Sequence, residues 1–288
     1  MKGEKRQYDD YDFEEAYKKS LDDLSEEELS RYLKNNPGIA YQTKTTKAGL
    51  QLEADIYPVF RKRSEGPRTE RHNSSRPAQR GLNDRRARRY LTNLLNANFG
   101  SGDIWATFTY DEEHLPDSEE EAGNLFRNFI RRINRIRKKE GKQNIRYICV
   151  TEFGETRIHH HVVMEGDIDR DQVEALWKYG KRNQTRRISA DPDTGISGIA
   201  AYITKQSKDP KRRKGRKRWT ASRGLKKPQI TKSLSRIGKR TAQRMAGDHE
   251  YLRARIEKEY PGYRFIDAEV YSNDINGGFY IYVRMTRD

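Results

Sequence analysis

Cysteine is almost missing from this 288-residue chain. Cys149 stands alone, so no internal disulfide can form and no cysteine-based zinc site can be built. A reducing, cytoplasmic setting is expected, with any metal left to histidine and carboxylate ligands. No apolar run approaches the roughly 18 residues of a membrane-spanning helix. The opening Met1-Lys2-Gly3-Glu4-Lys5 leads into acidic residues rather than an apolar signal core, so neither a membrane role nor secretion is expected. Apolar residues are sparse at 33%, enough for one sizeable core with appendages. Acidic residues are outnumbered 43 to 59 by Lys and Arg, for a formal charge of +16, which points to a polyanionic partner, nucleic acid above all. No G-x-x-x-x-G-K-[ST] phosphate loop occurs, so an in-chain helicase is not expected.

What is present is ordered along the chain. Residues 1–60 read as acidic helices, with Phe13, Tyr17, Leu21, Leu24 and Leu29 at helical spacing, followed by a hairpin around Lys47-Ala48-Gly49 that Pro58 ends. Residues 61–80 read as a polar linker. A basic amphipathic helix over 82–98 then feeds alternating strands and helices: strand 104–110, helix 119–140, strands 146–152 and 158–164, helix 170–179, a strand near 186–190 and helix 196–205. The 152–158 turn is too short for a crossover, so its flanking strands should form an antiparallel hairpin. Residues 231–288 read as one helix over about 235–259 and a hairpin turning at Asn276-Gly277-Gly278. The fold class expected is α+β.

Histidine is scarce, yet three of the six are adjacent, at 159–161. Strand parity puts His159 and His161 on one face and His160 on the other, and pairing 152 against 159 adds Glu152 to the outer two. Two imidazoles and one carboxylate suit Mg²⁺ or Mn²⁺ acting as a Lewis acid on a phosphodiester. The competing reading is a strand of surface histidines. Glu155, in the turn, is the weaker candidate. Downstream, Tyr202 and Lys205 share a helical face, as a tyrosine nucleophile and an assisting ammonium would. A Tyr-x-x-Lys pair taken alone also fits a packed tyrosine beside a surface lysine. From Lys205 to Lys227, 12 cations face Asp209 alone. Lys211, Arg212, Arg213, Lys214, Arg216, Lys217 and Arg218 are candidate phosphate contacts, and Trp219 either stacks a base or anchors the segment.

In this order, the Phe108-Thr109-Tyr110 strand, the histidines preceded by an acid, and the downstream Tyr202-Ile203-Thr204-Lys205 resemble the motifs of HUH-type rolling-circle replication initiators. The likeness is greatest to the replication-associated proteins of small plasmids and phages, of the filamentous-phage gene II type, and covers about residues 100–230. It implies a central antiparallel sheet of about five strands with helices on one face and a metal site on the other, so that 81–230 forms the nicking domain. It also implies His159, His161 and Glu152 as ligands, Tyr202 as the single nucleophile and Lys205 as its assistant. His160 departs from the pattern, whose middle position is usually hydrophobic, and is expected in the core. The expected substrate is single-stranded or hairpin origin DNA, with a host helicase and polymerase as partners. Alternatives are a relaxase or transposase of the same chemistry, or a non-catalytic DNA-binding protein.

Overall fold

A computed structural model describes residues 19–20, 40–59, 77–152, 157–205, 219–273 and 278–287. They fall into two compact units, one of residues up to Arg89 together with Pro228 onward, the other Tyr90–Lys227. The strands are β1 (Lys19–Ser20), β2 (Ala40–Ala48), β3 (Gln51–Val59), β4 (Ile104–Thr109), β5 (Tyr147–Glu152), β6 (His159–Met164), β7 (Gln184–Arg187), β8 (Thr220–Ala221), β9 (Gln229–Ser233), β10 (Arg264–Asn273) and β11 (Gly278–Thr286). The helices are α1 (Pro77–Asn96), α2 (Glu119–Lys139), α3 (Arg170–Leu176), α4 (Ser197–Lys205), α5 (Lys239–Gly247) and α6 (His249–Glu259).

The unit of residues 90–227 is built on a five-stranded antiparallel sheet in the order β7-β4-β6-β5-β8. Alternation along β4 sends Ile104, Ala106 and Phe108 to one face, where they join Val162 and Met164 of β6. α2 covers them with Phe126, Phe129 and Ile133, and Val173 of α3 and Trp177 belong to the same cluster. Each fully buried side chain of this kind contributes roughly 1.5–3 kcal/mol. α2 is placed by its ends: the Ser118 hydroxyl accepts from the Glu121 N–H at 3.1 Å, three glutamates fill the first turn, and Arg137, Lys138 and Lys139 the last.

Helices pack on both faces of this sheet, which corrects the one-faced arrangement expected. Ile148, Val150 and Val163 turn the other way and are covered by Leu91, Leu94 and Leu95 of α1 and by Ala200 and Ile203 of α4. Periodicity shows that a helix has an apolar stripe, not which side of a sheet receives it. The predicted hairpin is present, with Glu152 opposite His159 and Tyr147 opposite Met164. The strand expected near 186–190 lies at 184–187, and the helix expected to reach 179 ends at Leu176, where Trp177 turns its indole N–H onto the Thr109 carbonyl at 2.8 Å.

In the other unit the N- and C-terminal hairpins, read separately in the sequence, share one six-stranded antiparallel sheet, β1-β10-β11-β3-β2-β9. Leu52, Ala54, Ile56, Ile281, Val283 and Met285 line one face and pack against Ala242 and Met245 of α5 and Leu252 and Ile256 of α6. Four expectations change. Lys19–Ser20, inside the expected helical arm, pair as a strand with β10; the rest of that arm is outside the described residues. Pro58 sits within β3 rather than ending it, because β11 pairs only as far as Ile56 and the missing N–H costs no ladder bond there. Residues 77–80, expected at the end of the linker, are helical, with Pro77 opening α1 in a first-turn position where proline's fixed φ is an advantage; the rest of the expected linker is outside the described residues. The single helix expected over 235–259 is two, because Asp248 is extended and its carboxylate accepts from the Tyr251 N–H at 2.8 Å, starting a new helix.

Candidate metal centre and tyrosine site

β6 carries the three histidines, and its pleat separates them. His160 is fully buried on the α2 face. Its Nε2 is 2.6 Å from the Tyr110 hydroxyl and its Nδ1 2.9 Å from the Thr151 hydroxyl, so both ring nitrogens are satisfied by core groups. Burial, reinforced by His159 and His161, pushes its pKa down to about 3 and keeps it neutral.

His159 and His161 emerge on the other face beside Glu152, the last residue of β5. The His159 Nε2 lies 3.1 Å from one Glu152 oxygen and the His161 Nε2 3.4 Å from the other, and the two Nε2 atoms are 3.2 Å apart. All three side chains are largely buried, with 15%, 2% and 11% exposure for His159, His161 and Glu152. Burial opposes ionisation of Glu152, but hydrogen bonds from both imidazoles overcome it and hold the carboxyl at about 2. The same bond to Glu152 raises His159 against the effect of burial.

The outer nitrogens are engaged as metal-binding imidazoles require. His159 Nδ1 donates to the Arg157 carbonyl at 2.9 Å, which leaves the lone pair on Nε2 when the ring is neutral. His161 Nδ1 lies 3.1 Å from the Thr107 hydroxyl on β4, which can accept from it. Two imidazole nitrogens and a carboxylate converge within 4.8 Å, a donor set that fits a divalent cation once both Nε2 atoms are deprotonated.

Tyr202 stands beside this cluster. It lies in α4, held by Ala200 and Ile203 packing on the sheet, and at 49% exposure its phenol is accessible. Its ring meets His161 edge-on at 5.4 Å and Trp105 at 5.5 Å. Lys205 ends α4, but its side chain is outside the described residues. So are Glu155 and the basic run Lys211, Arg212, Arg213, Lys214, Arg216, Lys217 and Arg218. Trp219 is half-buried, stacked on Tyr90 at 6.3 Å and packed on the α1/α4 cluster, an anchoring position.

Sequence reasoning missed the wall next to Tyr202. A cavity of about 270 Å³ is lined by Trp105 and Thr107 of β4, Gln184 and Arg186 of β7, and Tyr202. The Trp105 indole N–H is buried and has no partner among the described residues. The signal was parity on β4, which puts Trp105 and Thr107 on the same face as His161; β7 carries none, since its placement beside β4 is a matter of topology.

No curated protein and no solved structure matches the chain. Residues 103–207, the segment that holds Glu152, His159, His161 and Tyr202, match the family model described as replication-associated protein of the ORF2 and gene II protein type, and this part of the chain is therefore similar to replication-associated proteins.

Proposed function

We propose that the protein initiates rolling-circle replication of a plasmid or phage by nicking and religating single-stranded origin DNA, with Tyr202 as nucleophile beside a divalent ion held by His159, His161 and Glu152. The observation that carries this reading is the adjacency of an accessible tyrosine ring to the converging His/Glu cluster within the segment similar to replication-associated proteins.

Tyr202 Oη attacks the scissile phosphorus in line. The new Oη–P bond replaces the bond from phosphorus to the 3′ oxygen, the phenol proton passes to solvent, and the departing 3′ oxygen takes up a proton. The products are a 5′-phosphotyrosyl link and a free 3′-hydroxyl able to prime synthesis, while the link conserves the energy needed for religation. An ion in the His/Glu cluster, Mg²⁺ or Mn²⁺, would stabilise charge on the phosphate oxygens. His159 and His161, on a rigid strand, and Glu152 would hold that ion, and Lys205 neutralises the phosphate after attack. Arg186, on the wall of the neighbouring cavity, offers a cation to the strand beside the nucleophile. The basic residues from Lys211 to Arg218 bind the flanking phosphates.

The test is incubation with single-stranded oligonucleotides from the protein's own origin and Mn²⁺, watching for a DNA-linked protein band. The band should appear with the native chain and vanish with Tyr202→Phe or with chelator, while DNA binding persists. An active Tyr202→Phe protein, or DNA mapped to a different residue, would overturn the assignment.

A further inference from the structure

The six-stranded sheet buries one face against α5 and α6, and its other face has an unusual make-up. Solvated strand faces are ordinarily rich in small polar and charged residues, yet here tyrosines line up across adjacent strands. The β10–β11 register sets Tyr271 directly against Tyr280. The β11–β3 register, which pairs Ile281 with Ile56, brings Tyr57 level with Tyr280 one step further on. Strands lie about 4.8 Å apart, so three phenol rings stand side by side over three strands. A fourth, Tyr282, lies on the same face two residues along β11.

These four rings line a groove of about 730 Å³, and its rim is basic. Arg89 is committed to structure: it binds Glu53 and Asp55 at 2.7 Å each and lies over the Tyr282 ring at 4.5 Å. Arg85 and Arg86, one turn earlier on α1, and Lys232 on β9 also line the groove, and all three are exposed. Counting Lys44, five cations line it against Asp55 and Glu269.

We infer that this face is a second nucleic-acid site, which takes unpaired bases on the tyrosine row and backbone phosphates on the arginine and lysine rim. Aromatic rings interleaved with cations are what single strands require, since every base has a face to stack and every nucleotide a phosphate to neutralise. A duplex keeps its base faces covered, so the tyrosines favour unpaired strand. The site lies outside residues 103–207, and its chemistry does not depend on Tyr202 or on the His/Glu cluster.

The experiment uses the full chain in chelator, so that no strand is cut, with fluorescent oligothymidylate and a hairpin duplex of equal length as probes. Photo-crosslinking with an iodouracil-substituted strand should label peptides containing Tyr57, Tyr271 or Tyr280. Tyr271→Leu with Tyr280→Leu should weaken oligothymidylate binding on the order of tenfold or more and leave the duplex nearly unaffected. Arg85→Gln with Arg86→Gln, both on the helix surface, should lower the salt slope by about 0.7 per lost contact and guards against a folding defect in the tyrosine variant. Crosslinks confined to other peptides with unchanged affinity in both variants, or equal losses on strand and duplex, would overturn the inference. Nicking measured separately with Mn²⁺ reports on the Tyr202 reading alone.

Discussion

The two faces of β6 use one residue type in opposite ways. On the α2 face, His160 is sealed among Phe126, Trp177 and Tyr110, bonded at both nitrogens and held neutral. On the other face, His159 and His161 tie down Nδ1 and turn Nε2 toward a carboxylate that stays ionised despite burial. A step of one residue along a strand moves a side chain from one environment to the other. What makes a histidine a ligand candidate here is therefore not the His-His-His run but the neighbours that each face supplies: Tyr110 and Thr151 satisfy His160, whereas Glu152 leaves the outer pair a shared negative focus.

The sharpest way to break that contrast is to remove a nitrogen from each face. His161→Ala should lower Mn²⁺ affinity by two orders of magnitude or more, measured by calorimetry or by electron paramagnetic resonance of free Mn²⁺, because a three-ligand site loses a ligand that is only 2% exposed. His160→Ala should leave the affinity within a few fold. If instead His160→Ala abolished Mn²⁺ binding and His161→Ala did not, the two faces would have been assigned the wrong way round.

How much of this was readable beforehand follows from the range of each interaction. Parity on β6 and the short turn after Glu152 are local, and they place His159, His161 and Glu152 together. His160 in the core followed from the same parity. The six-stranded sheet was not readable, since Ile56 pairs with Ile281 across most of the chain and no periodicity reports a pairing of that span. The split between α5 and α6 was locally encoded, in Asp248 three residues before Tyr251, but the apolar pattern ran through it. Tyr202 was legible as a helical tyrosine, whereas its contact with His161 depends on α4 packing on the ligand face, where no helix was expected.

A smaller effect is expected in stability rather than in binding. His160→Ala removes a ring nitrogen partner from the buried Tyr110 hydroxyl and from the half-buried Thr151 hydroxyl and leaves a void beside Phe126 and Trp177, which should cost about 3 kcal/mol. Thermal or urea unfolding without metal would measure it. His159→Ala, at a more exposed position whose partners can turn to solvent, should cost less than half as much. Equal losses would mean that the outer face is as tightly built as the core.

The smallest expected effect lies one atom beyond the ligands, at Thr107. The two outer histidines are oriented differently: the Arg157 carbonyl can only accept, so His159 Nδ1 must donate, whereas the Thr107 hydroxyl can either give or take and leaves the His161 tautomer open. With a cation on Nε2, His161 Nδ1 carries the proton and needs Thr107 Oγ1 as acceptor. Thr107→Val keeps the shape of the β4 side chain and removes that acceptor, leaving an N–H without a partner in the bound state. The penalty of about 1.4 kcal/mol corresponds to a tenfold loss of Mn²⁺ affinity, with stability in chelator little changed. Thr107→Ser, which retains the hydroxyl, should recover most of the affinity. A Thr107→Val protein that binds Mn²⁺ as tightly as the native chain would show that His161 takes its orientation from packing between Tyr202 and Glu152 rather than from β4.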